Sequence, residues 1–198
     1  LTKCVKVSTK LIQNSAVDVV KIVNDRLAAK FAIAQEKAFM LGDGASKPLG
    51  LFVASALGIS ASRDVVGSNT SSAITADTIL DVQYALRKQY RRGAKWLLSR
   101  GAIRQISLLK GHGNVPLWQP SLALGQPDRL DGFPVQESEF VPSTFTTGLY
   151  VGLLGNLSHY MIVDQAPYAV QRLNELYAGT NQVGFIGRMS LDAMPTDE

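Results

Sequence analysis

The pattern of apolar and polar positions changes period along the chain. Residues Lys3 to Val7 alternate, with Lys3, Val5 and Val7 on one side and Cys4 and Lys6 on the other, the two-residue period of a short strand. Ser8 and Thr9 follow, suited to cap a turn of helix that holds Leu11 and Ile12. The period then lengthens. Val20, Val23, Leu27, Phe31, Ala34, Ala38 and Leu41 recur at spacings of 3, 4, 4, 3, 4 and 3, which is one continuous helical stripe. Ser15 and Asp18 stand at its start, Lys21, Asp25, Lys30 and Lys37 lie largely off it, and Gly42 is placed to close it as the C′ residue. From Val17 to Leu41 the helix runs about 37 Å at 1.5 Å per residue. That is long for a globular domain, and it calls for an extended surface to lie on.

Beyond the stripe, Gly42 to Phe52 reads as a tight, glycine-rich exit, and Ser60 to Ser72 as a small, polar surface loop. Thr75 caps a second helix through Asp77, Ile79, Leu80, Val82, Leu86 and Tyr90, ending at Arg91-Arg92-Gly93. Lys95 to Leu98 reads as a buried strand, Ala102 to Leu109 as a third helix, and Gly111 to Gln126 as a loop carrying Trp118. The last third is β in character. Leu130 to Val135 is a turn into a strand, and Tyr150–Leu154, Tyr160–Val163, Ala169–Leu173 and Gln182–Met189 follow as strands. Helices followed by strands predict an α+β fold. There is no internal repeat.

Composition narrows the function classes without choosing one. The chain has 198 residues, is 46% hydrophobic and 18% charged, and can bury a real core. A formal net charge of +4 is a mild excess of cations. Dedicated nucleic-acid binders concentrate Lys and Arg more heavily, although weak salt-dependent contact with a polyanion fits. The single cysteine, Cys4, makes no intrachain disulfide and no cysteine-based zinc site, as expected of a reducing compartment. No apolar run approaches the roughly 20 residues of a membrane span, and no signal peptide is visible, so the sequons at Asn69 and Asn156 carry no expectation of glycosylation. The chain opens at Leu1 directly into a strand-like stretch, which reads as a fragment of a longer protein.

Candidate chemistry is sparse. Gly42-Asp43-Gly44-Ala45-Ser46-Lys47 lacks the GxxxxGK[ST] order and follows a helix where a phosphate loop precedes one. Gly148, Gly152 and Gly155 do not make GxGxxG. His112 and His159 have no partners at metal-ligand spacing and read as loop or core-edge histidines. No GxSxG elbow exists, and Cys4 has no evident base. Asp131, Glu137 and Glu139 are carboxylates close in sequence around a Gly-Pro turn, read as solvated rather than as a hydrolytic pair. The cluster Arg87, Lys88, Arg91, Arg92 and Lys95 has two readings. Cations there offset the negative end of a helix dipole, or they meet acidic groups on a neighbouring subunit.

Several segments together resemble the HK97-type major capsid proteins of tailed phages and prophages. They are Val5-Lys6-Val7-Ser8 with Leu11-Ile12 and the long helix; Glu36 to Gly44 closed by Lys47-Pro48-Leu49-Gly50; Tyr90 to Ser99; Leu130 to Val135; and Gly184 to Asp192. They stand in the family's order, and the helix ending in Gly42-Asp43-Gly44 is the most specific of them. The resemblance implies an α+β, HK97-like fold with a long spine helix. Residues 1–75 would belong to the peripheral domain, 76–167 mainly to the axial domain, and 168–198 would return to the peripheral domain. The family's N-terminal arm and extended loop are missing from this stretch.

The implied function is structural: a subunit of an icosahedral capsid enclosing double-stranded DNA, in the virion after assembly in the bacterial host cytoplasm. It would use no cofactor and no metal and would not be an enzyme. Its partners would be copies of itself in pentamers and hexamers, and packaged DNA by non-specific contact, with no membrane involved. The chain by itself is expected to be a monomer or weak oligomer. Arg91, Arg92, Trp118 and the turn Gly42, Asp43 and Gly44 are the expected subunit-interface residues, since Arg and aromatic side chains often anchor interfaces. Two alternatives remain beside this: an encapsulin-like, non-viral shell of the same fold, and a small hydrolase. The hydrolase would need a pocket with converging polar groups and a perturbed pKa.

Overall fold

The computed structural model describes residues 1–67, 74–111, 114–118, 128–145 and 149–197. Strand β1 (Thr2–Ser8) leads through a short helix α1 (Thr9–Asn14) into the long helix α2 (Val19–Leu41). Asp18 caps α2, its carboxylate accepting the amide of Lys21 at 3.1 Å. Helices α3 (Ala76–Ala85) and α4 (Lys88–Arg91), strand β2 (Lys95–Leu98) and helix α5 (Arg100–Ser107) follow. Then come β3 (Arg129–Leu130), β4 (Phe133–Glu137), β5 (Gly152–Gly155) and two 14-residue strands, β6 (Tyr160–Leu173) and β7 (Gln182–Pro195).

These strands form two sheets, and each holds its own core. The first is antiparallel, in the order β1-β7-β6. Val5 and Val7 pair with Phe185 and Val183, which puts all four on the face toward α2. Leu27 and Phe31 close on them from the helix. Only these two members of the α2 stripe are fully buried, while Val20, Val23, Ala34 and Ala38 are half-buried and Leu41 is exposed. A helix lying on one narrow sheet buries a single line of side chains, so the rest of α2 stays open. The second sheet has the order β3-β4-β2-β5, with β2 parallel to β4 and antiparallel to β5. Trp96, Leu98, Ala102, Ile106 and Leu130 form its core. The Trp96 indole donates to the Leu130 carbonyl at 3.1 Å, so the buried N–H is satisfied.

Three expectations are corrected here. The second helix is broken: α3 ends at Ala85, Leu86 and Arg87 are extended, and α4 is a single turn. Tyr160–Val163 and Ala169–Leu173 are one strand, because β6 absorbs the intervening residues as register shifts at Asp164, Ala166 and Ala169. Pro167 lies inside this continuous strand. Gly42 is the C-cap with φ −69, not a left-handed C′ residue. The Gly111–Gln126 loop and the Ser60–Ser72 loop extend partly outside the described residues, as does the sequon at Asn69.

Candidate functional site

The turn that leaves α2 is built by backbone crowding. A Cβ on Gly42 would stand 2.0 Å from the Pro48 carbonyl oxygen and 2.5 Å from that of Ala38. A Cβ on Gly50 would stand 2.6 Å from the Met40 carbonyl oxygen. With both side chains absent, the chain doubles back against the end of the helix. Leu51 and Phe52 donate their amides to the carbonyls of Phe39 and Met40 at 2.9 and 3.0 Å, and Gly50 donates to Gly42 at 2.9 Å. These are the carbonyls that a helix C-terminus leaves open. Gly42 is buried within this knot, so its place is intramolecular, whereas Asp43 and Gly44 are exposed. Gly44 takes φ +74. Asp43 accepts the Ala45 amide at 3.0 Å and pairs with Lys47 at 3.5 Å. The Ala45 amide holds its carboxyl below the usual carboxylate range; burial opposes this, and the Lys47 charge adds to the lowering.

The knot also joins the two sheets. Leu49 donates its amide to Ala193 of β7 at 2.8 Å, and Tyr160 of β6 donates its hydroxyl to the Leu49 carbonyl at 2.9 Å. Phe39 meets the Tyr160 ring edge-on at 5.8 Å. Burial, with Asp192 adding to it, pushes the Tyr160 phenol up to about 12. On the other side, Phe52 packs with Leu97 of β2 and with Val141. Ser138, just past β4, donates to the Glu36 carboxylate on α2 at 2.6 Å.

Arg91 and Arg92 part company. The Arg91 Nε donates to the Leu86 carbonyl at 3.1 Å, and its guanidinium lies 5.9 Å from the Tyr84 ring centre. Arg91 thus mends the break between α3 and α4. Arg92 is exposed at the tip, ahead of Gly93 with φ +86. Trp118 is half-buried: its indole N–H donates to the Arg129 carbonyl at 2.6 Å and its ring packs on the second core. The exposed apolar side chains nearby are Leu108, Val115 and Leu117, which sequence reasoning passed over. Leu108 stands at the C-terminal end of α5, and the loop setting of Val115 and Leu117 gave no periodic signal to find them by.

The residues considered for chemistry do not converge. Asp131 sits in the β3–β4 turn with φ 50, followed by Gly132 with φ 84. Glu137 ends β4, at the opposite end of that strand from the turn. His159 packs edge-on against Tyr90 at 5.4 Å. His112 and Gly148 lie outside the described residues. Among the described residues no cluster of three or more His, Cys, Asp or Glu could hold a metal, and no helix is long and apolar enough to cross a membrane.

Comparison with known proteins places this architecture. The model of the Phage capsid family matches residues 1–198. The capsid of an empty GTA particle superposes with a TM-score of 0.86 at 26% identity, covering 100% of this chain and 69% of that one. The capsid of a native GTA particle gives 0.85 at 27% identity, covering 100% and 68%. A chain of Microbacterium phage Oxtober96 gives 0.71 at 15% identity, covering 98% and 65%, a likeness of fold alone. No curated protein sequence matches the chain.

Proposed function

The chain belongs to the phage capsid family, and from that premise we propose how it serves a shell. It is a structural subunit of a capsid, with the HK97-type fold. The observation that carries this is a family match and a structural match that both span the whole chain. Neither the non-viral compartment nor the small hydrolase is favoured by these relatives.

The first sheet with α2 acts as the peripheral domain and the second sheet with α3 and α5 as the axial domain. Two cores and two sheets support that division. The domain boundary then lies ahead of β6, and β6 and β7 return together to the peripheral domain. The knot from Gly42 to Phe52 is the joint that fixes one lobe on the other.

Copies of the subunit meet by repeated heterologous contact, closing into pentamers and hexamers and then a shell. Arg92, Asp43 and Gly44 are exposed and belong to those contacts. Arg91, Trp118 and Gly42 act through the fold of their own subunit. The basic excess gives packaged DNA a weak, sequence-independent contact that weakens with salt. Assembly takes place in the bacterial cytoplasm and the product is the virion capsid.

Electron microscopy of the full-length protein expressed in bacteria tests the reading. Closed particles of uniform diameter are expected. A soluble monomer at every concentration and salt tried would refute it.

A further inference from the structure

Charge is segregated within the second lobe. From Val82 to Pro127 there are eight cations and no carboxylate, whereas Asp128 to Glu139 holds four carboxylates and one cation, Arg129. Two tight turns carry this contrast to opposite edges of the sheet β3-β4-β2-β5. On the β5 side, the side chain of Asn156, just past that strand, donates to the Arg92 carbonyl at 3.3 Å and seats the Arg92-Gly93 turn beside the edge. On the other side, Asp131 and Gly132 form the turn between β3 and β4. Gly93 has φ +86, and Asp131 and Gly132 have φ 50 and 84. Each turn exposes one charged side chain at its tip, Arg92 or Asp131, and Lys95 is exposed just behind Arg92. None of the three has an ionic partner among the described residues.

The register sets the two tips at one height. Lys95 pairs with Gly155, Trp96 with Val135 on the parallel neighbour, and Arg129 with Pro134. Gly155, Lys95, Pro134 and Arg129 therefore form one row across the four strands. Arg92 stands three residues ahead of Lys95, and Asp131 stands three ahead of Pro134. Because β2 and β4 run parallel, both tips project from the same end of the sheet, with about 14 Å of three strand spacings between the two edges. A heterologous contact closes into a ring when the rotation brings unlike patches together without a rise along the axis, and otherwise winds into a filament. Opposite charges at equal height on opposite edges meet that condition for an axis along the strands. Tight turns also leave the backbone under each charge little freedom to lose on contact.

We propose that Arg92 of one subunit, with Lys95 behind it, pairs with Asp131 of the next, so that second-sheet lobes meet β5 edge to β3 edge around a ring. The pair selects which edges meet. Approach of two like edges would set Arg92 against Arg92, or Asp131 against Asp131, and be repelled. This inference rests on the capsid reading and names one contact within it.

A charge swap in the full-length protein tests it, with the yield of closed particles read by light scattering and electron microscopy. Arg92→Glu and Asp131→Lys each set like charges together and should lower the yield at least about tenfold, and the double variant should restore it to within about threefold of the wild type. Thermal melts by circular dichroism establish that each variant subunit folds. If lysine at a positive φ lowers the melt of Asp131→Lys, Asp131→Asn takes its place, since asparagine tolerates that conformation. Arg92→Glu is then expected to assemble better together with Asp131→Asn than alone. A folded double variant that assembles no better than Arg92→Glu alone overturns the pairing. Wild-type yield from both single reversals overturns it as well. In either case, closed particles from the wild type leave the capsid reading standing, whereas a wild type that forms none sinks both.

Discussion

The hydroxyl of Ser138 donates to the carboxylate of Glu36 at 2.6 Å across 102 residues of sequence. Ser138 is 5% exposed, and its oxygen also accepts the Phe140 amide at 3.3 Å while its own amide bonds to Leu98 at 3.2 Å. One small side chain thereby ties the last turns of α2 to the end of β4 in the second sheet. Ser138→Ala leaves both Glu36 and the Phe140 amide short of a partner. The expected loss is about 1–3 kcal/mol, the range for a hydrogen bond to a charged group whose partner stays half-buried. Urea unfolding measures it, and a double-mutant cycle with Glu36→Ala isolates the coupling. A loss below about 0.5 kcal/mol with no coupling would show that the contact does not link the lobes.

Two glycines should respond differently to the same substitution. Gly42→Ala places a methyl group against two carbonyl oxygens of the backbone, and a destabilisation of about 3 kcal/mol is expected from overpacking that cannot relax. Gly132 has φ +84 but nothing within 4 Å of its Cβ position. Gly132→Ala should cost only about 1 kcal/mol, the strain of a left-handed alanine. Equal melting temperatures for the two variants would contradict the crowded knot.

The core contribution of α2 is concentrated at two positions. Phe31→Ala should lower stability by about 3–5 kcal/mol, because Phe31 is 5% exposed and packs on Tyr168 at 5.2 Å. Ile33→Ser, on the open flank, should change the isolated subunit by less than about 0.5 kcal/mol. Denaturant midpoints of the two variants decide the matter.

Alkaline stability should report on Tyr160. Its phenol is neutral in the folded chain up to about 12, whereas in the unfolded chain it ionises near 10. The unfolded state loses its proton first, so stability is full below pH ~10 and falls as pH rises toward ~12. Solvent screening of a half-buried group holds the effect to about 1–2 kcal/mol. Tyr160→Phe should remove that part of the pH dependence, seen as a flatter profile of unfolding free energy between pH 9 and 11.5, two values chosen about the ordinary tyrosine range.

Arg92 and Arg91 should separate assembly from folding. Arg92→Glu alters an exposed tip, so the subunit's melting temperature is expected to stay while particle formation declines. Arg91→Glu removes the donor to the Leu86 carbonyl and is expected to lower subunit stability by about 1 kcal/mol. Light scattering read alongside thermal melts distinguishes the two. Undiminished assembly of Arg92→Glu would remove that residue from the subunit contacts.

The elements themselves were legible wherever a local rule applied. The stripe from Val20 to Leu41 declared α2, the alternation at Lys3 to Val7 declared β1, and Asp131-Gly132 declared the turn into β4, because period and turn chemistry are properties of neighbours in sequence. The family resemblance carried the fold and the structural role. Local rules missed the break after Ala85, where Arg91 rather than the backbone serves the Leu86 carbonyl. They also missed the continuity of β6, which is held across its irregularities by pairing with β7.

The residues expected at subunit interfaces show the same division. Arg and aromatic side chains are frequent anchors by type, but type does not say whether a side chain faces a neighbour or its own chain. Only the folded chain commits the Trp118 indole to Arg129 and crowds Gly42 against Pro48. The sequence by itself determined most of the helices and strands, though not their breaks and continuities, and which family they compose. The tertiary structure alone decided how the two sheets are joined and which side chains are engaged within their own subunit, since each depends on groups far apart in sequence meeting within a few ångströms.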